Sequence, residues 1–131
     1  MIVFPYAALV SLLSVLLMFG TAMHVGRSRM QYQVKAPATT GHEMFERAYR
    51  IQVNTIENFL MMFPSLWIYA VFTDDLGAGV IGVIWLVGRV MYAVAYQNDP
   101  AKRGTGFMVG MFAIASLWLG GLYGVVDTLV H

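Results

Sequence analysis

The sequence contains no cysteine, so the chain forms no disulfide bond and offers no thiolate ligand for a metal ion. Any thiol chemistry at this protein would therefore need a thiol supplied by a bound ligand. Charge is also scarce, because only 11% of the residues are Asp, Glu, Lys or Arg, and the formal net charge is +1. This balance gives no information about charged macromolecular partners, and we expect no nucleic acid to bind.

Apolar residues, in contrast, make up 59% of the 131 residues. A soluble domain this small could not bury so much apolar surface. The apolar runs are about 20 residues long, enough to cross a hydrocarbon core of roughly 30 Å. They extend over the whole chain, so a removable signal peptide does not account for them. We expect residues 1–131 to form a single all-α domain, an integral membrane four-helix bundle.

Four membrane spans are predicted, at residues 2–24, 44–72, 78–96 and 101–129. The polar stretch 27–42 is predicted to be a loop, and residues 73–77 are predicted to be a tight connection. Asp99 suits the N-cap of the last helix, and Pro100 suits its first position.

The charges predict an orientation in the membrane. With four spans, all eight basic residues lie at or near one face: Arg27, Arg29, Lys35, Arg47, Arg50, Arg89, Lys102 and Arg103. The opposite face carries both termini and three acidic residues, Asp74, Asp75 and Asp127. Because basic loops stay in the cytoplasm, we expect the first and third loops there and both termini on the other side. A bacterial inner membrane and a eukaryotic internal membrane fit this pattern equally.

Small residues recur at helical spacing in the last span. Gly106 with Gly110, and Gly120 with Gly124, each form the small-xxx-small pattern that lets two helices approach closely. We predict that these pairs pack within one subunit, and packing between subunits is the alternative.

The second span carries a polar stripe. Arg47, Arg50, Asn54 and Glu57 are spaced by 3, 4 and 3 residues, which places them on one helical face with Asn58 beside them. Gln52 falls on the other side of this helix. Arg47 can extend its charge toward the membrane surface, but the short side chain of Glu57 cannot.

The third span carries a matching stripe, formed by Arg89, Tyr92 and Tyr96 at spacings of 3 and 4. Arg103 follows at the start of the last span, at the same membrane level. The two stripes therefore predict a polar pocket between these spans.

Two interpretations of this pocket are open. In the first, the polar residues only pair with one another, with Glu57 in a buried ion pair with Arg50 or Arg89. In the second, the pocket binds an amino-acid-like or peptide ligand, because arginines suit carboxylates and Glu57 suits an ammonium group. Asn54 could act as a donor or as an acceptor. No metal is expected, since His24 and His42 lack the spacing of a metal site.

The residues of both stripes resemble a known family. The segment 45–57, with Arg50, Asn54 and Glu57, resembles the membrane-associated proteins in eicosanoid and glutathione metabolism, and is especially similar to their leukotriene C4 synthase branch. The segment 88–103 is similar to the type 3 branch of microsomal glutathione transferases. The resemblance covers nearly the whole chain.

This resemblance implies a homotrimer of four-helix subunits that binds glutathione, as cosubstrate, between neighbouring subunits. It implies glutathione contacts at eight residues: Arg29, Arg50, Gln52, Asn54, Glu57, Tyr92, Tyr96 and Arg103. It further implies that Arg103 is catalytic and stabilises the glutathione thiolate. Gln52 would meet ligand held by the neighbouring subunit.

Two positions depart from the leukotriene synthase pattern. Met30 replaces an arginine that is proposed to protonate product, and Asn58 replaces a tyrosine that touches glutathione. Both departures weaken the case for leukotriene synthesis, and neither removes the glutathione site.

The resemblance implies a microsomal-type glutathione S-transferase that conjugates the thiolate to lipophilic electrophiles from the bilayer, and peroxide reduction stays open as a second activity. The alternative is a non-catalytic lipid-binding membrane protein, similar to the lipoxygenase-activating protein. The charged pocket argues against this alternative, because a site for lipid alone needs no such groups. A third class is a small transporter or a structural helix bundle, and a transporter is disfavoured because the polar residues occupy one membrane level only.

Overall fold

The computed structural model describes all residues, 1–131, and consists of helices. The four long helices are α1 (Pro5–Tyr32), α2 (Glu43–Phe72), α3 (Asp75–Asn98) and α4 (Gly104–Val130), with a short 3-10 helix, Pro100–Lys102, before α4. Each of the four is long and apolar enough to cross a membrane, which confirms the predicted all-α, multi-span architecture.

Two predicted boundaries are wrong. The stretch 27–32 is the end of α1 and not part of a loop, so the first loop covers only residues 33–42. A helix satisfies its own backbone hydrogen bonds, so it can continue into water after its apolar residues end. The predicted connection 73–77 shrinks to Thr73 and Asp74, because the Asp74 carboxylate accepts a hydrogen bond from Gly77 N at 2.6 Å and starts α3 early.

The two middle helices form the centre of the bundle. α2 and α3 each pack against the other three long helices. The main core lies between them, with Met62, Leu66 and Trp85 fully or almost fully buried. Large apolar side chains on the outside remain exposed, as at Leu12, which is typical of a surface that contacts lipid.

Glycines set the close approach of α3 and α4. A Cβ atom at Gly88 would lie 2.8 Å from the backbone N of Gly110, and Gly106 has no room for a side chain against the backbone of Tyr92. Gly120 and Gly124 are likewise closed off, by Tyr69 and Phe72 of α2 and by Thr73 directly after it. Both small-residue pairs therefore pack within one chain, which confirms that prediction.

The acidic end of the bundle holds α1 and α3 together. The Asp75 carboxylate, at the start of α3, accepts hydrogen bonds from Tyr6 N and Ala7 N, both at 3.0 Å. These amides belong to the first turn of α1, where backbone N–H groups have no partner within the helix. Asp75 thus caps a helix other than its own.

Candidate functional site

A polar cleft opens at the end of the bundle that carries the basic residues. Its volume is about 680 Å³, which lies within the range of small-ligand sites. Its walls come from α2, α3, the 3-10 turn and α4: Arg50, Asn54, Tyr92, Tyr96, Ala101, Arg103, Gly104 and Phe107. A second polar cavity of about 420 Å³ shares Arg50 and Tyr96 with it and extends the site toward the loop before α2.

The α2 wall carries Arg50 and Asn54, one helical turn apart. The start of α2 is held in place by His42, whose Nδ1 accepts a hydrogen bond from Met44 N at 3.1 Å. The His42 ring also stacks on Tyr32 at the end of α1, with ring centroids 4.1 Å apart. The start of α2 is therefore fixed against α1. Because Arg50 and Asn54 lie further along the same helix, their positions in the cleft wall depend on these contacts.

The α3 wall carries Tyr92 and Tyr96, whose ring centroids lie 5.5 Å apart. The Tyr92 ring is also 6.4 Å from the ring of Phe107 on α4, so aromatic packing joins the two helices at the cleft. Phe107 was missed by the sequence reasoning. Its spacing of four residues from Arg103 is the signal that could have found it, since both then share one side of the last helix.

Arg103 stands at the mouth of the cleft, in the turn before α4. Its Nη1 donates a hydrogen bond to Pro100 O at 2.7 Å, which orients the guanidinium. The turn itself is fixed by Asp99, whose Oδ1 accepts from Ala101 N at 3.1 Å. Asp99 is therefore an N-cap, but of the 3-10 turn and not of the last helix as predicted, because α4 begins only at Gly104. The residue is exposed, so its other N–H donors are free to meet a ligand.

The interpretation of Glu57 as one half of a buried ion pair is wrong. Glu57 Oε1 lies 4.0 Å from Arg50 Nη1, and both side chains are about half exposed, at 54% and 52%. Arg89 has no carboxylate partner. Exposed ion pairs at such a distance are weak, so Arg50 and Glu57 both remain available to a ligand at the outer edge of the cleft.

Arg89 does not line the cleft, contrary to the predicted pocket. It is completely buried, and its Nη2 donates to Asn54 Oδ1 at 2.8 Å and to Thr55 Oγ1 at 3.0 Å. The spacing of its stripe is correct, but at the level of Arg89 the neighbouring α4 packs closely on α3, and a Cβ atom at Gly110 would lie 3.8 Å from Arg89 Cδ. Arg89 therefore lies in the interior of the bundle, with the side chain of Asn54 between it and the cleft.

The structure separates Arg29 and Gln52 from the cleft of the same chain. Arg29 Nη1 donates to Ala38 O at 2.7 Å, and its guanidinium lies 4.7 Å from the centroid of the Phe45 ring. These contacts fold the first loop over the end of α1. Gln52 is half-buried and lies on the side of α2 away from Asn54, as its spacing predicted.

Two further members of the α2 stripe do not line the main cleft either. Arg47 Nη1 donates to Gln97 O at 2.9 Å and to Asn98 O at 3.1 Å, so it satisfies carbonyl groups at the end of α3. Asn58 is only 2% exposed and faces the interior of the bundle. Neither role follows from helical spacing, which gives a direction but not the neighbour that lies there.

No three His, Cys, Asp or Glu side chains come close enough together to hold a metal ion. His24 Nε2 instead lies 2.8 Å from Gln97 Oε1, a hydrogen bond that ties α1 to the end of α3. The cleft and its outer edge present two exposed guanidinium groups, two phenols, one amide and the nearby Glu57 carboxylate. Such a set can bind a small ligand that carries both carboxylates and an ammonium group.

Known proteins resemble the chain over most of its length. The model of the MAPEG family matches residues 7–123. An uncharacterised protein of Synechocystis is 38% identical over 121 residues, covering 92% of this chain and 88% of that protein. Human microsomal glutathione S-transferase 2 is 32% identical over 123 residues, covering 94% and 84%. Leukotriene C4 synthase of Cavia porcellus is 35% identical over 113 residues, covering 86% and 73%.

Proposed function

Because this chain belongs to the MAPEG family, we propose that it is a membrane-bound glutathione S-transferase that detoxifies lipophilic electrophiles by conjugating them to glutathione. The observation that carries the proposal is the cleft in which Arg50, Asn54, Tyr92, Tyr96 and Arg103 meet. A relative named microsomal glutathione S-transferase 2 supports the class of reaction.

Glutathione matches the chemistry of this cleft. It is a short peptide with a carboxylate at each end, an ammonium group and a thiol. Arg50 would pair with a carboxylate, Glu57 with the ammonium, and Asn54 would bind a polar group between them. Tyr92 and Tyr96 would position the peptide and its thiol. The volume of about 680 Å³ accommodates a ligand of this size.

Arg103 is the proposed catalytic residue. A free cysteine thiol has a pKa near 8.5, so only a small fraction is thiolate at neutral pH. A guanidinium close to the sulfur stabilises the anion and lowers this pKa. The thiolate then attacks an electrophilic carbon and forms a carbon–sulfur bond. The electron pair of the broken bond departs with the leaving group, or stays on the oxygen of an opened epoxide, which takes a proton from water.

We further propose that the active form is a homotrimer in which glutathione lies between neighbouring subunits. Arg29 and Gln52 lie outside the cleft of their own chain, so a neighbouring copy would have to bring them to the ligand. We also propose that the basic end of the bundle lies in the cytoplasm and that both termini lie on the other side of the membrane. A reporter enzyme that works only outside the cytoplasm should therefore be active when fused to either terminus.

The thiolate absorbance of bound glutathione tests the role of Arg103. Wild-type protein in detergent should bind glutathione saturably and show the thiolate signal at neutral pH. Arg103→Ala should still bind glutathione, but the thiolate signal should fall about tenfold and reappear only at higher pH, because the thiol pKa is no longer lowered.

Lys102→Ala is the matched control, because Lys102 is exposed, basic and adjacent but does not line the cleft. It should keep the wild-type thiolate signal. A full thiolate signal and full turnover in Arg103→Ala would disprove the catalytic role. No binding to the wild type at millimolar glutathione would disprove the transferase and leave the lipid-binding alternative. The turnover assay should be repeated with a lipid hydroperoxide in place of the electrophile, because the thiolate is also the nucleophile in peroxide reduction.

A further inference from the structure

Arg89 is the only charged side chain in the protein that is buried, with an exposed fraction of 0%. It lies within the membrane-spanning part of α3, where a buried charge is costly. No carboxylate lies within ion-pair distance of it. Helix packing alone would be served better by an apolar residue, so this arginine requires a functional explanation.

The contacts of Arg89 converge on the wall of the cleft. Its Nη2 donates to Asn54 Oδ1 at 2.8 Å and to Thr55 Oγ1 at 3.0 Å, while Nε and Nη1 have no hydrogen-bond partner in the protein. The guanidinium also lies over the Tyr92 ring, 4.2 Å from its centroid. Two of these neighbours, Asn54 and Tyr92, line the cleft.

The bond to Asn54 determines which way the amide faces. A guanidinium is only a donor, so the atom of Asn54 that meets it must be the oxygen. If the amide were turned round, its NH2 group would face the guanidinium, and two donors would meet without an acceptor. The N–H donors of Asn54 consequently remain for the cleft, which the side chain lines. This resolves the choice between donor and acceptor that the sequence left open.

We propose that Arg89 is a positioning residue that holds Asn54 with its N–H donors directed at the ligand. The group bound at Asn54 is then a hydrogen-bond acceptor, a carboxylate or peptide carbonyl oxygen. The inference rests on the proposed function and specifies which part of glutathione this position recognises. Arg89 itself does not touch the ligand and acts through Asn54.

A double-mutant cycle on glutathione affinity tests the inference. Arg89→Met and Asn54→Ala should each raise the Kd of glutathione about tenfold, as expected for the loss of one hydrogen bond to the ligand. The double variant should bind no more weakly than Asn54→Ala alone, because Arg89 has nothing left to position. S-methylglutathione should give the same pattern, since it separates binding from activation of the thiol.

Conservative variants separate positioning from a structural role. Arg89→Lys keeps a donor for Asn54 and should stay within about threefold of the wild-type Kd. Thr55→Val removes the other partner of Arg89 and should leave the Kd unchanged, because Asn54 keeps its bond. A merely structural role for Arg89 would lower the unfolding temperature without this pattern in Kd.

The outcomes distinguish the two proposals. If the wild type does not bind glutathione, the proposed function fails and the inference fails with it. If the wild type binds but Arg89→Met binds equally well, or the effects of the two substitutions multiply, only the inference is overturned. Should Arg89→Met not fold, Asn54→Asp is decisive: its carboxylate accepts from Arg89 but gives the cleft no donor, so unchanged affinity would overturn the inference.

Discussion

At the scale of the residue, the arginines near the site differ in exposure, and exposure determines what each can do. Arg50 and Arg103 are exposed and keep donors for a ligand, whereas Arg47 donates to the end of α3 and to Glu43. Arg89 is buried and meets the wall of the cleft through Asn54 and Tyr92. Residues of one type in one region thus differ in exposure, and the binding, structural and positioning roles that we propose follow this difference.

Arg50 lines the cleft and is exposed, so substituting it tests its proposed role in binding glutathione. Arg50→Ala should raise the Kd of glutathione at least tenfold without changing the unfolding temperature, because the side chain is exposed and has only a weak partner in Glu57. Calorimetric titration in detergent measures the Kd. Arg27→Ala removes an exposed basic residue outside the cleft and should bind as the wild type does. Equal affinity of the two variants would exclude Arg50 from the site.

Much of the cleft could be predicted from residue spacing. Arg50 with Asn54, and Tyr92 with Tyr96, occupy facing stripes because residues four apart share a helical face. Arg89 shows the limit of that reasoning. Periodicity gives the direction of a side chain, but whether it reaches solvent depends on how closely the next helix approaches, and here the glycines of α4 close the gap.

At the scale of the element, helix ends are satisfied by residues of other helices. Asp75 of α3 accepts from the first turn of α1, and Arg47 of α2 donates to the end of α3. The sequence predicts caps that lie next to their own helix, such as Asp99, but not caps that come from a distant part of the chain. The predicted end of α1 is wrong for a different reason, because hydropathy marks where lipid ends and not where the helix ends.

Substituting Asp75 tests how much such a cap stabilises the bundle. Asp75→Ala should lower the free energy of unfolding by about 1–2 kcal/mol, because two amides at the start of α1 lose their acceptor. Unfolding in mixed detergent micelles measures this change. Asp127→Ala is the control, since Asp127 is exposed at the same end and its carboxylate pairs only with His131, so its stability should be unchanged. Equal stability of both variants would mean that the Asp75 cap contributes nothing.

At the scale of the whole molecule, one chain does not bring all the proposed glutathione contacts together. Arg103 lines the cleft, whereas Gln52 lies on the other side of α2. If neighbouring subunits share each site, a mixed trimer of Arg103→Ala and Gln52→Ala subunits should contain some intact sites. Its turnover should then exceed that of either variant alone. Turnover equal to the average of the two would place each site within one chain.

The proposed transferase activity is best tested by measuring conjugation by the wild-type protein in lipid vesicles, with glutathione and a lipophilic electrophile such as an aryl halide. Mass spectrometry should detect the glutathione adduct forming at a rate that saturates with glutathione and falls strongly in Arg103→Ala. Adduct formation no faster than in vesicles without protein, across several classes of electrophile, would contradict the assignment of this chain as a transferase.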